Sequence, residues 1–238
     1  MGYKVQCYSV IEIESLDEVY RKCEEYIRKG EYDRAIKQVK AILVERPDDV
    51  RALKIMADAY FYAGRYEDAI KHYKKTIWKD PNFFDGWFML GRCYDILGKK
   101  RIATEFYKKA LMLNPDDIEI NLRLGGLYLE LGEPDKAVNC FEKVIMHDES
   151  NVEAWRRLGT AYMLLGDYEK AIECFEKTIT LEGEDPELLR ELAIAYWKTN
   201  RPDEAIKKLS RALELYGDRV DILICLLYTS DAADDGES

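Results

Sequence analysis

The 238-residue chain has little proline and glycine, 6 and 14 residues respectively, and no long apolar run. Its longest apolar stretch, residues 222–228, has seven residues, far fewer than the ~18 needed to span a bilayer. Collagen-like sequence is excluded by this composition, and disorder is disfavoured because 47% of the residues are hydrophobic. The sequence therefore predicts a folded protein that does not interact with membranes.

Histidine is scarce, with two residues, and the six cysteines form no Cys-x-x-Cys pair. Neither pattern matches the ligand spacing of a zinc site, so we predict no metal and no cofactor. No basic and apolar leader opens the chain, which predicts reduced thiols and a cytoplasmic location. The formal net charge of -10 disfavours a nucleic-acid partner, because binding to phosphates requires a basic surface.

A 34-residue period runs through most of the chain. The residues that keep this step are Gly30, Gly64, Gly98, Gly132, Gly166, with Asn200 in the sixth place, together with the alanines at 35, 69, 103, 137, 171 and 205 and the tyrosines at 26, 60, 94, 128, 162 and 196. Such a period is typical of repeat proteins, in which each repeat is one supersecondary unit.

Each repeat has the 3–4 apolar spacing of two amphipathic helices, as between Trp155 and Tyr162. The periodic glycines are predicted to close the first helix in a left-handed conformation, which asparagine also tolerates. Asp49, Asp117, Asn151 and Asp185 precede first helices and are predicted N-caps. Small residues on the first helices are expected to pack against large rings on the second helices. The small residues are Ala57, Gly91, Gly125, Gly159 and Ala193, and the rings are Tyr73, Tyr107, Phe141 and Phe175.

This pattern resembles the tetratricopeptide repeat (TPR) family. The motif Trp-x2-Leu-Gly-x2-Tyr stands complete at residues 87–94 and 155–162. The resemblance implies an all-α fold, a right-handed α-solenoid of about six helix-turn-helix repeats. We place these repeats at 16–49, 50–83, 84–117, 118–151, 152–185 and 186–219.

Both ends depart from the period. Residues 1–15 are predicted to form an N-terminal arm, and residues 220–224 to begin a truncated seventh repeat. Residues 225–235 resemble the translation of a transposase sequencing adapter. We therefore interpret residues 225–238 as an artefactual tail and expect the natural protein to continue past Ile224; the alternative is a short acidic terminus.

No catalytic pattern is recognised. The sequence has neither a Gly-x-Ser-x-Gly elbow nor a His-Glu-x-x-His motif, and most of its carboxylates fall on helix faces predicted to be solvated. We predict a non-enzymatic interaction scaffold. One alternative is that the chain is a regulatory or substrate-binding TPR segment of a larger enzyme, such as a transferase, whose catalytic domain is missing. Another is self-association through an uncapped end of the solenoid.

The resemblance also implies that first helices line a concave groove that holds extended peptides. The residues that it places in the groove are Lys54, Phe88, Arg92, Leu122, Arg156, Met163, Arg190 and Trp197. We expect the apolar members to be exposed and the cations to lie between them, which predicts a protein or peptide ligand with acidic and apolar side chains. The alternative is that these side chains pack against each other or against a missing segment.

Some TPR domains clamp the C-terminal carboxylate of chaperones. Lys54 and Arg123 match that clamp, but Asp58 and Glu119 place acids where it needs neutral or positive groups. These acids would repel a carboxylate, so we predict that chaperone tails are not partners.

Overall fold

A computed structural model describes residues 15–216 of the chain, and these residues form twelve α-helices and no strand. The chain divides after Leu113 into two compact halves. The N-terminal half contains α1 (Leu16–Arg28), α2 (Tyr32–Glu45), α3 (Val50–Tyr62), α4 (Tyr66–Lys79), α5 (Phe84–Ile96) and α6 (Lys100–Leu113). The C-terminal half contains α7 (Ile118–Glu130), α8 (Pro134–His147), α9 (Val152–Leu165), α10 (Tyr168–Glu182), α11 (Pro186–Lys198) and α12 (Pro202–Tyr216).

The predicted all-α class with stacked helix pairs is confirmed. Odd-numbered helices are the first helices of the pairs and even-numbered helices are the second. Within each half every helix packs against its neighbours along the chain. The predicted N-terminal arm, apart from Ser15, and the predicted seventh repeat and tail lie outside the described residues, as do residues 217–219.

The turn inside each helix pair has one left-handed residue. The five periodic glycines have φ between 70° and 78°, and Asn200 has φ 58°, as predicted. The amide of the next residue then donates to the carbonyl of the periodic tyrosine, as from Lys99 to Tyr94 at 2.8 Å. This bond uses a carbonyl that would otherwise have no partner at the helix end.

First helices begin at side-chain caps in five of the six pairs. Ser15, Asp49, Asp117, Asn151 and Asp185 each accept a hydrogen bond from the amide three residues later, which confirms the four predicted caps. The exception is α5, where Phe83 stands at the cap position without such a bond.

Close packing of glycine against aromatic rings joins the two helices of a pair. A Cβ added at Gly91 would lie 2.5 Å from the Tyr107 ring, and one added at Gly159 would lie 2.4 Å from the Phe175 ring. Both rings are fully buried. The predicted contact of small and large residues is therefore present, and it leaves no room for a side chain at these glycines.

Candidate functional site

Three of the predicted site residues lie in the N-terminal half, and all three are partly buried. They are Lys54 on α3 and Phe88 and Arg92 on α5. The Arg92 guanidinium lies 4.9 Å from the centre of the Phe61 ring and 5.7 Å from the centre of the Phe88 ring. The Phe88 ring in turn packs near Phe84 and Tyr107, with ring centres 6.3 and 6.1 Å away. The two phenyl rings beside Arg92 therefore hold its guanidinium by cation–π contact.

Arg92 forms no ion pair with any acid within residues 15–216. Its one polar contact there is with the Met89 sulfur, at 3.8 Å. A guanidinium has five N–H donors. The faces of aromatic rings do not accept strong hydrogen bonds from these donors, whereas a carboxylate does. Arg92 is thus held in place by its neighbours while its donors remain available.

Lys54, unlike Arg92, is paired with acids. Its ammonium group donates to Asp58 at 3.0 Å and lies 3.9 Å from Asp85, so two acids of the same half neutralise it. Burial acts to lower the pKa of Lys54, but the charge and hydrogen bond of Asp58 and the charge of Asp85 outweigh it and raise the pKa. Tyr73 also donates to Asp58, at 2.5 Å.

In the C-terminal half, the predicted cations are also paired with acids. Arg156 donates to Asp185, which at the same time caps α11 through the Leu188 amide at 3.2 Å. Arg190 donates to Glu187 at 2.7 and 3.1 Å. These pairs link α9 to the start of α11 and stabilise the first turn of α11, so the two arginines have a structural role.

Glu191 adds a third acid to this region. Burial raises the pKa of its carboxyl group, while the nearby charges of Arg156 and Arg190 act in the opposite direction. This residue was not predicted from the sequence. A carboxylate on a first helix, next to a predicted groove arginine, was the available signal.

The expected exposure of the apolar site residues is not observed. Phe88, Leu122, Met163 and Trp197 are all partly buried. Met163 and Trp197 pack against the core cluster that includes Leu188 and Leu192. The reason, for Phe88, Met163 and Trp197, is that these side chains pack against core residues, which removes part of their apolar area from water. These positions therefore expose less apolar surface than the sequence predicted.

Sequence reasoning also missed two features around Arg92 and Lys54. Phe61 is buried, yet its ring supports the guanidinium. Asp58 joins Tyr73 and Lys54 in one hydrogen-bonded group. Asp58 stands one 34-residue period before Arg92, and Phe61 four periods before Trp197, so both occupy positions that the TPR resemblance assigns to the groove. Their side-chain partners, however, depend on the packing of α3 against α4 and of α4 against α5.

Among residues 15–216 there is no group of three or more His, Cys, Asp or Glu side chains that could hold a metal ion. No helix in that range is long and apolar enough to cross a membrane. The four cysteines described there, Cys23, Cys93, Cys140 and Cys174, are buried, and burial raises the pKa of the last three.

Family models match most of the described chain. The TPR domain of cytochrome c-type biogenesis protein H matches residues 75–189, and two tetratricopeptide repeat models match residues 20–76 and 162–223. The chain belongs to the tetratricopeptide repeat family. This TPR assignment agrees with the twelve paired helices and supports a protein–protein interaction scaffold.

Solved TPR structures resemble the chain closely in fold. Two crystal structures of MamA share 28% and 30% sequence identity, with TM-scores of 0.65 and 0.62. They cover 69% and 67% of this chain and 90% and 93% of their own. YrrB, described as a TPR protein with an unusual peptide-binding site, shares 17% identity, with a TM-score of 0.71 and coverage of 79% of this chain and 96% of its own. At that identity YrrB supports the fold alone. No curated protein matched the sequence.

Proposed function

We propose that this TPR scaffold binds an extended segment of a partner protein on its first-helix faces, with Arg92 as the main contact for an acidic side chain. The observation that carries the proposal is the state of Arg92. It is the predicted site cation that forms no ion pair within the described residues, whereas Lys54, Arg156 and Arg190 are each paired with an acid.

The surroundings of Arg92 define the ligand. Phe61 and Phe88 contact the planar guanidinium and restrict its movement, which reduces the entropy lost when it binds a carboxylate. A carboxylate can accept two parallel hydrogen bonds from such a plane. The partly buried ring of Phe88 offers apolar surface beside it. We infer a ligand that has an Asp or Glu next to an aliphatic or aromatic residue.

The paired cations argue against a purely basic groove. The charges of Asp58 and Asp85 beside Lys54 and of Glu187 beside Arg190 balance the cations and repel a dense run of acids. The ligand that fits is therefore sparsely charged. Asp58 is also one of the two acids, with Glu119, from which the sequence predicted that a chaperone C-terminal carboxylate does not bind, and we keep that expectation.

The test is selection from a displayed library of random peptides, followed by fluorescence anisotropy with the selected peptides. We expect an enriched acidic residue next to an apolar one. Arg92→Met keeps an apolar side chain over the two rings and removes the charge, so we expect binding about 10–100-fold weaker, since a hydrogen bond to a charged group contributes about 1.5–3 kcal/mol.

Arg65→Met is the matched control, because Arg65 also lies over a ring, that of Tyr60 at 4.6 Å, but stands in a turn and is paired with Asp68. It should bind as the unaltered chain does. Equal binding by the Arg92→Met chain, or selected peptides without an acid, would reject the proposal. Reversing both charges with Arg156→Glu and Arg190→Glu is a less specific test, because it also disturbs the cap of α11. A loss of binding by that chain counts only if its circular dichroism remains helical.

The cytoplasmic location expected from the cysteines stays a prediction. A fluorescent fusion of the full chain observed in cells, with fractionation of the lysate, would test it.

A further inference from the structure

Charge is distributed unevenly between the two halves. Residues 15–113 contain 21 Lys or Arg and 16 Asp or Glu, a net charge of +5, whereas residues 114–216 contain 13 and 22, a net charge of -9. The net charge of the whole chain hides this separation. It does not come from the first helices, because the numbers of cationic and acidic residues on them are nearly equal in each half.

The positive charge is concentrated on the second helices of the N-terminal half. Residues 37–45 of α2, 71–79 of α4 and 105–113 of α6 contain eight lysines and two glutamates. We call this surface the lysine ridge. Lys40 and Lys75 on the ridge are exposed and have no ion pair within the described part of the chain.

The lysine ridge also carries three exposed apolar side chains, Val44, Trp78 and Met112, whose exposed fractions are 78%, 75% and 80%. They are 34 residues apart and therefore occupy the same position on α2, α4 and α6. Exposed single apolar residues are common, but three aligned ones, including a tryptophan, mark an interaction surface. Tryptophan is the residue most enriched among those that dominate binding energy at protein interfaces.

The C-terminal half has a surface of complementary character. A cleft of about 390 Å³ in this half is lined by the apolar side chains of Ile145, Met146, Trp155 and Leu158 and by Glu142, Glu173 and Lys170. The charge of Lys170 is balanced by its ion pair with Asp167, which leaves the two glutamates as the excess charge of the cleft. Both glutamates are exposed. An apolar cleft of that volume flanked by acids can accept a large aromatic side chain that is itself flanked by lysines. We call this surface the acidic cleft.

We propose that the lysine ridge of one molecule docks on the acidic cleft of a second copy of the same chain, with Trp78 as the inserted side chain. Charge complementarity selects this occupant, because both surfaces are found on the same protein and have opposite sign. An anionic membrane fits less well, since a half with a net charge of -9 would be repelled from it. The contact joins two different surfaces, so copies either pair reciprocally or continue into larger assemblies.

The first experiment measures molar mass by sedimentation velocity and light scattering across protein concentration. We expect mass to rise with concentration at about 0.01 M salt, where the Debye length is about 30 Å, and to rise far less at about 1 M salt, where it is about 3 Å. Trp78→Ser should reduce association at least about tenfold, because it removes the inserted side chain.

Charge reversal provides the decisive test. A Lys40→Glu and Lys75→Glu chain has an altered lysine ridge, and a Glu142→Lys and Glu173→Lys chain has an altered acidic cleft. Each alone should remain monomeric, because like charges then meet. A mixture of the two should associate again, since the altered ridge matches the altered cleft and the unaltered surfaces match each other.

Arg21→Glu with Arg28→Glu is the matched control, since it changes the charge of the N-terminal half equally but on α1, which is not part of the lysine ridge. It should associate as the unaltered chain does. Three results would overturn the proposal: a monomeric unaltered chain at low salt, a mixture of reversed chains that stays monomeric, or equal loss in the α1 control. Binding of the monomer to vesicles with anionic lipid would assign the ridge to a membrane instead. Circular dichroism confirms that each chain is folded.

Discussion

Substitution of Gly98 tests how the turns inside the helix pairs are specified. Gly98 has φ 70°, and a Cβ added there would meet no atom within 4 Å. The cost of a side chain at this turn is therefore one of backbone conformation and not of crowding. We expect Gly98→Val to lower the free energy of unfolding by about 1–3 kcal/mol, because a β-branched residue is forced into the left-handed region.

Asparagine is the informative comparison at this position. Asn200 adopts φ 58° at the equivalent turn of the last helix pair, so that turn already tolerates asparagine. Gly98→Asn should therefore cost clearly less than Gly98→Val. The reciprocal Asn200→Gly should change stability by less than about 1 kcal/mol, since relief in the folded state is offset by greater freedom of the unfolded chain.

The assay is urea unfolding followed by circular dichroism, supported by thermal melting. A loss of 1 kcal/mol lowers Tm by about 2–4 °C in a chain of this size. Equal losses for the valine and asparagine chains would show that crowding or another contact, and not φ, determines the cost. An unchanged Tm for Gly98→Val would refute the role of the left-handed turn altogether.

Three further predictions concern packing and pH. Gly159→Ala should lose about 1–3 kcal/mol of stability by urea unfolding, because its Cβ would lie 2.4 Å from the buried Phe175 ring, and a gain would contradict the packing argument. Burial and the charge of Lys75 lower the pKa of His72 in the folded state. The stability that the neutral imidazole contributes is therefore lost as the pH falls from about 6.5 through the folded pKa. Between about pH 7 and pH 5 the Tm of a His72→Phe chain should fall by less than the Tm of the unaltered chain. Burial raises the pKa of Glu191 in the folded state. The stability that its protonated carboxyl group contributes is therefore present below about pH 4.3 and lost as the pH rises through the folded pKa. Glu191→Gln should raise the urea midpoint of unfolding at about pH 7 and leave it unchanged at about pH 4.

The His72 prediction has a structural basis beyond the pKa. The imidazole stacks on Tyr60 with ring centres 5.4 Å apart, and its Nδ1 is buried without a hydrogen-bond partner within the described residues. A phenyl ring preserves the stacking and removes the unsatisfied nitrogen. A His72→Phe chain with the same pH dependence as the unaltered one would assign the acid sensitivity to other groups.

Fold and repeat architecture were readable from the sequence because they depend on local rules. A left-handed Gly or Asn, a capping side chain and a 3–4 apolar spacing each act within a few residues. The 34-residue period places the left-handed residue in all six helix pairs and the capping side chain in five of them. The uncapped start of α5 at Phe83 shows the limit: the surrounding packing forms the helix where the local signal is missing.

The candidate site was predicted less well. The sequence identified the right helix faces through the family pattern, but it treated Lys54, Arg92, Arg156 and Arg190 as equivalent cations. The contacts of Arg156 with Asp185 and of Lys54 with Asp85 join different elements and follow from packing. The pairs of Lys54 with Asp58 and of Arg190 with Glu187 lie within one helix and were available from the sequence spacing. The exposed apolar residues were likewise expected on the first helices, whereas Val44, Trp78 and Met112 lie on the second helices.

The amino-acid sequence alone determined that this chain forms paired helices with a fixed period, because turns, caps and close glycine packing are encoded at short range. Tertiary structure decided which charges remain available and which apolar side chains face water. Those properties depend on the distances between groups far apart in the chain, as between the Arg92 guanidinium and the Phe61 ring. A pattern of residue types assigns side chains to a helix face, but the electrostatic state of each is set by the neighbours that the fold brings to it.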